Sequence, residues 1–159
     1  YKTDTDRTGF EQTFPDQLNY RFEHRDWQFV ALDSTQGTGF EKTRVQPATF
    51  RWLEDTLPTL DRRRPLVLFT HFPLAADVRM APLNAGEVLE RFREFNLRGV
   101  FGGHFHAYTE RTFAGTDVVT NRCCSRVRGN HDGTMEKGYW LVTAEDGALR
   151  REFVEFKGV

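Results

Sequence analysis

The sequence predicts an α+β fold, and three observations carry that prediction. The first is a strand, helix, strand succession from Leu66 to Phe101. Val67-Leu68-Phe69 and Gly99-Val100-Phe101 are short apolar runs, and the segment between them places Val88, Leu89, Phe92 and Phe95 at helical spacing. Such a crossover joins parallel strands, so the C-terminal ends of both fall on one edge of the sheet. The second is alternation over Tyr108 to Phe113, Thr116 to Thr120, Tyr139 to Thr143 and Leu149 to Phe156, with Gly115 and Asp146-Gly147 as turns. This pattern reads as antiparallel strands closing a sheet. The third is what leaves the two crossover strands: Thr70-His71-Phe72-Pro73 after one and Gly102-Gly103-His104-Phe105-His106-Ala107 after the other. Strand exits of this kind are where folds with parallel strands put their chemistry.

Taken in order, Tyr1 to Asp16 is polar, with Asp4, Asp6, Gly9 and Pro15 interrupting any period, and reads as a loop. Leu18 to Glu23 and Trp27 to Leu32 read as strands joined by His24-Arg25-Asp26, a connection of hairpin length. Asp33-Ser34 then caps the following turn rather than supplying a ligand. Gly37 to Val45 is loop-like, and Gln46-Pro47 opens a helix at a position where the missing proline N–H is harmless. Phe50, Leu53 and Leu57 share its buried face, and it ends near Pro58. The charged run Asp61 to Arg64 is a solvated connection into the next strand. Past Pro73 a loop leads to Asn84, which with Glu87 fits an N-cap and its capping-box partner for a helix ending before Arg98.

Composition narrows the function classes. The chain has 159 residues and 38% hydrophobic content, which suits one domain or part of one. With 22 basic against 23 acidic residues and a net charge of -1, it carries no nucleic-acid-binding signature. No apolar run approaches the ~18 residues of a membrane segment, and the N-terminus shows no signal-peptide pattern. Adjacent Cys123 and Cys124, the sole cysteines, offer neither a zinc ribbon nor a disulfide framework. The first residue is Tyr1 rather than methionine, which reads as a fragment and leaves localisation unset; oligomeric state is not written in these residues either.

A lone histidine is usually a satisfied surface or core group. Here three of five histidines stand at strand exits. In an extended chain His104 and His106, two apart, would face one side with Cα atoms roughly 6 to 7 Å apart. Gly102 and Gly103 carry no side chain to block a ligand, and the crossover geometry brings His71 toward the pair. His71, His104 and His106 are therefore the candidate metal ligands, and neutral imidazoles suit Zn, Fe, Mn or related divalent ions.

The order T-H-x-P then G-H-x-H, each after a hydrophobic strand with a helical pattern between, resembles the last two signature blocks of the calcineurin-like metallophosphoesterases. The resemblance runs from about Tyr20 to Phe156. It implies a four-layer α/β/β/α sandwich, two divalent metal ions (Mn, Fe, Zn or similar) at its strand ends, and hydrolysis of a phosphoester substrate by a metal-activated water. It further implies that His71 and His104 bind one ion and His106 the other. The family's earlier blocks D-x-H and G-D-x-x-D occur nowhere here, and no G-N-H block lies upstream of His71. Residues 1–159 are thus expected to be the C-terminal half of such a domain, its N-terminal half missing. The enzyme would be the full-length parent, and this chain alone would be inactive, holding at most one metal weakly for want of a bridging carboxylate.

Gly129-Asn130-His131-Asp132 spells the family's third block, but after G-H-x-H instead of before T-H-x-P. No buried strand delivers it and its composition is that of a turn, so it reads as coincidence; a weaker reading has this loop reach over the site and touch substrate. Two other function classes stand beside the phosphoesterase. One is a mononuclear three-histidine site, hydrolytic or structural, and the other a non-catalytic binding domain whose histidines cap strands.

Overall fold

The computed structural model describes residues 8–125 and 127–156. Its centre is a mixed sheet built from β1 (Tyr20–His24), β2 (Trp27–Leu32), β3 (Leu66–Thr70), β4 (Leu97–Gly102), β5 (Thr109–Phe113) and β6 (Thr116–Thr120). Their order across the sheet is β1-β2-β3-β4-β6-β5. Strands β2, β3, β4 and β6 are parallel neighbours, while β1 and β5 are antiparallel edges. The hairpins turn where the sequence places them. Arg25 joins β1 to β2 with φ 52°, and Ala114 and Gly115 join β5 to β6 with φ 48° and 82°. Tight hairpin turns demand positive φ at both central residues, as at Ala114-Gly115, or at the first alone, as at Arg25.

Alternation divides the sheet into two faces. Val30, Leu32, Leu66, Leu68, Val100 and Val118 form one, and they pack with Leu53 of α2 (Pro47–Thr56) and with Ala85, Val88 and Leu89 of α3 (Ala85–Glu90). Phe92, just past α3, is fully buried in this cluster. Phe92→Ala is expected to cost about 3–5 kcal/mol, the penalty of losing a large buried ring and leaving its cavity, measured by denaturant unfolding. The opposite face carries a row of stacked rings across β1 to β4: Phe22 to Phe29 at 4.6 Å, Phe29 to Phe69 at 6.2 Å and Phe69 to Phe101 at 5.9 Å.

Three expectations are corrected. The stretch read as a loop at the start contains a short helix, α1 (Thr8–Thr13), steadied by the Thr13 hydroxyl donating to Gly9 O at 2.8 Å and by Phe10 against Phe14. Residues before Thr8 lie outside the described residues. The alternating strands do not close one sheet. β5 and β6 join the large sheet, whereas β7 (Gly138–Glu145) and β8 (Ala148–Glu155) form a second, two-stranded one. That hairpin leans on the ring-bearing face, with Leu149 close enough to Gly99 that an added Cβ would sit 3.3 Å from its Cδ2. Finally, Asn84 does not cap α3 with its side chain; its Oδ1 accepts from Val45 N at 2.9 Å and its Nδ2 donates to Val45 O at 3.1 Å. A buried amide that both accepts from and donates to a distant backbone gains more than a single cap bond offers. The helix itself ends at Glu90, and turns carry the chain on to Phe95. Among the described residues no helix is long and apolar enough to cross a membrane.

Candidate metal centre

β3 and β4 run side by side, Leu68 opposite Val100 and Phe69 opposite Phe101, so both histidine motifs leave the same edge together. Gly103 N–H donates to His71 O at 2.9 Å and ties the two exits. Gly102 suits this closeness, since a Cβ there would lie a tight 3.2 Å from Phe72 O. From β2, the buried Ser34 hydroxyl accepts Phe72 N–H at 2.9 Å and fixes the T-H-x-P turn from the other side. Asp33 spends its carboxylate on the same connection, accepting Thr35 N–H at 3.0 Å and Thr35 Oγ1–H at 2.6 Å, as a turn cap does.

His71 Nε2 lies 3.1 Å from His104 Nδ1, and His104 Nε2 lies 2.8 Å from Phe40 O. A carbonyl only accepts, so His104 Nε2 carries the ring proton and Nδ1 keeps its lone pair toward His71. The Phe72 ring supports His104 from below at 3.9 Å between centroids. His71 is exposed as a residue, yet its imidazole is set among Phe72, His104 and the strand exits. Lost hydration there, then the neighbouring charges that His104 and His106 would carry, push its pKa down to about 4. The ring is therefore neutral at neutral pH, the form that donates to a metal.

These two residues fit a divalent ion. Nitrogens 3.1 Å apart are spaced as adjacent ligands of one ion at ~2.0–2.1 Å from each. A backbone carbonyl on the second nitrogen is the usual support of a metal-bound imidazole.

His106 does not join them. The H-x-H segment is not extended, since His104 has φ 62° and His106 φ 51°, and the rule that residues two apart share a face fails in left-handed backbone. The His106 ring instead lies parallel to His131, 6.0 Å between centroids at 14°, with Phe105 stacked on His131 at 5.6 Å and 11°. Burial, then Arg128 and His131, hold the His106 pKa below the usual imidazole value. Among the described residues no group of three or more His, Cys, Asp or Glu side chains comes together as a metal site. As placed, the three histidines therefore do not assemble the mononuclear alternative.

Sequence reasoning missed Phe40 and the bond from Phe72 N–H to Ser34, and it had the Gly129 to Asp132 turn near the site only as the weaker reading, without its bond to His106 O. Phe40 and Ser34 act through backbone or loop geometry and leave no spacing signal. Cys123 is buried, Cys124 is exposed, and both are reduced.

No protein-family model matches the sequence, and no curated protein matches it. The chain is similar in fold to solved structures, among them the crystal structure of a dimetal phosphatase from Danio rerio, with TM-score 0.54 and 17% identity. The match takes in 72% of this chain and 50% of that one, so the chain spans half the length of that structure. The likeness is one of fold, and it bears out the α+β class and the sandwich architecture.

Proposed function

We propose that the protein carrying this chain is a metal-dependent phosphoesterase of the calcineurin-like kind, with two divalent ions, to which the chain contributes the C-terminal half of the domain. The observation that carries the reading is the pair of facing imidazole nitrogens, His71 Nε2 and His104 Nδ1 at 3.1 Å, on two parallel strand ends in a fold shared with a dimetal phosphatase. His71 and His104 would hold one ion, and His106 the other, with the remaining ligands supplied from outside these residues. Bound there, such ions acidify a water and clamp a phosphoryl group for in-line attack.

The chain's own residues prepare that site. Phe40 O fixes the His104 tautomer, so no proton need leave Nδ1 before it binds. Because His104 Nδ1 is the acceptor, His71 Nε2 donates across the 3.1 Å contact and would release that proton on taking an ion, while the depressed pKa keeps the ring neutral well below neutrality. The Phe72 ring packs against the His104 imidazole, and Gly102 lets the two turns approach. The experiment that tests the reading is metal analysis of the purified full-length protein together with hydrolysis of a generic aryl phosphate. Two divalent equivalents per chain and turnover are expected, and a metal-free, inactive protein would overturn it.

His131 stays outside the ligand set in this reading. Its turn follows G-H-x-H, and the side chains flanking it, Asn130 and Asp132, are spent on loop hydrogen bonds. His131→Ala is expected to leave metal stoichiometry intact in the full-length protein; loss of one equivalent would refute the exclusion.

A further inference from the structure

We propose that Asp132 is a positioning residue for His106, and that the turn Gly129 to Asp132 clamps the H-x-H segment in its left-handed conformation. The geometry stands by itself, while its consequence for metal binding rests on the reading of His106 as a ligand. Positive φ is uncommon for residues with side chains and persists where the surroundings hold it. His104 is held by Phe40 O and His71. For His106 the hold comes from the other side: His131 N–H donates to His106 O at 2.9 Å, and Tyr108 N–H donates to Asp132 Oδ2 at 2.9 Å. The two bonds bracket the buried Ala107, fixing the backbone immediately after His106.

The clamp is itself braced. Asn130 closes the turn onto its own base, accepting Cys123 N–H at 2.8 Å and donating to Glu136 O at 2.8 Å. The other Asp132 oxygen, Oδ1, accepts Thr134 N–H at 3.0 Å. Arg122 Nε lies 3.4 Å from Asp132 Oδ2 and donates to Thr134 Oγ1 at 2.9 Å, while its guanidinium lies over the Tyr108 and Phe153 rings. Every partner of Asp132 is a donor, which only an ionised carboxylate satisfies on both oxygens. The motif that matches a family block out of order thus has work of its own in this fold.

The test is made on the full-length protein labelled with 15N, in wild type, Asp132→Ala and Asp132→Asn. Backbone couplings of His104 and His106 report φ, amide exchange of Tyr108 reports its bond, and titration with zinc counts equivalents. Asp132→Ala is expected to speed Tyr108 exchange by about tenfold or more. His106 should leave its left-handed value while His104 keeps its own. Asparagine retains one acceptor but loses the charge, so its Tyr108 exchange should fall between the other two. Unchanged Tyr108 exchange and His106 coupling would overturn the proposal, as would His104 and His106 moving together, which indicates general loosening. Where the alanine variant does not fold, the asparagine variant decides on the same readings. Zinc separates the two ideas. Expected couplings in a protein that binds no zinc leave the clamp standing without the metal reading, and bound zinc with unresponsive couplings removes the clamp alone.

Discussion

His104→Ala in the full-length protein is expected to reduce bound metal and aryl-phosphate turnover together, through loss of the ion it would share with His71. The substitution deletes Nδ1, the nitrogen 3.1 Å from His71 Nε2, and with it the proton on Nε2 that Phe40 O accepts. Loss of an outer partner alone typically costs 10–100-fold in metal affinity or activity, about the least that loss of a ligand itself should cost. His104 also carries the ring above Phe72, so some loss of stability is expected as well, and the variant's unfolding midpoint should be measured beside its metal content. His24, exposed at the end of β1, serves as the control, and His24→Ala should change neither quantity. Unchanged metal content and rate in His104→Ala would rule out the assignment.

How far the sequence foretold this arrangement depends on the range of the force that fixes each part. Elements set by periodicity were legible: β2 and β6 fall on the residues their alternation predicts, Trp27–Leu32 and Thr116–Thr120. The crossover was legible for the same reason, and with it the common edge that brings His71 beside His104. What long-range hydrogen bonds decide was not. Asn84 looks like a cap because its local surroundings are those of a cap, yet its amide pairs with Val45, thirty-nine positions away. Gln28 sits in β2 as a polar residue where a partly buried strand would take an apolar one. It is buried because its amide both accepts Asp61 N–H at 2.9 Å and donates to Asp61 O at 2.8 Å. The left-handed turn at His106 likewise comes from the Gly129 to Asp132 loop, whose contact with the segment no local pattern announces. The division of the alternating strands between two sheets was hidden too, because alternation gives a strand its faces but not its neighbours.

Expressed alone, these 159 residues are expected to associate or precipitate and to show no phosphatase activity with Mn or Zn. The ring-bearing face of the large sheet is covered unevenly. Toward β4 and β6 the β7–β8 hairpin lies on it, with Leu149 at Gly99 and Arg151 bound to Asp117 at 3.2 Å. Toward β1 the Phe22, Phe29 and Phe69 rings continue the row, and Phe22 and Tyr20 are 45% and 41% exposed. A contiguous apolar face beyond a few hundred Å² drives association. A two-stranded sheet is marginal by itself and gains stability from further strands or from packing. Under the proposed reading, the upstream half of the domain would add those strands over β1 to β3 and bring the carboxylate that two adjacent cations need between them. Co-expression with that half should then restore solubility, measured by size-exclusion chromatography, and turnover in the same preparation. A monodisperse, active monomer of this chain would show that the site is complete without it, and would overturn the half-domain reading along with the division of ligands it requires.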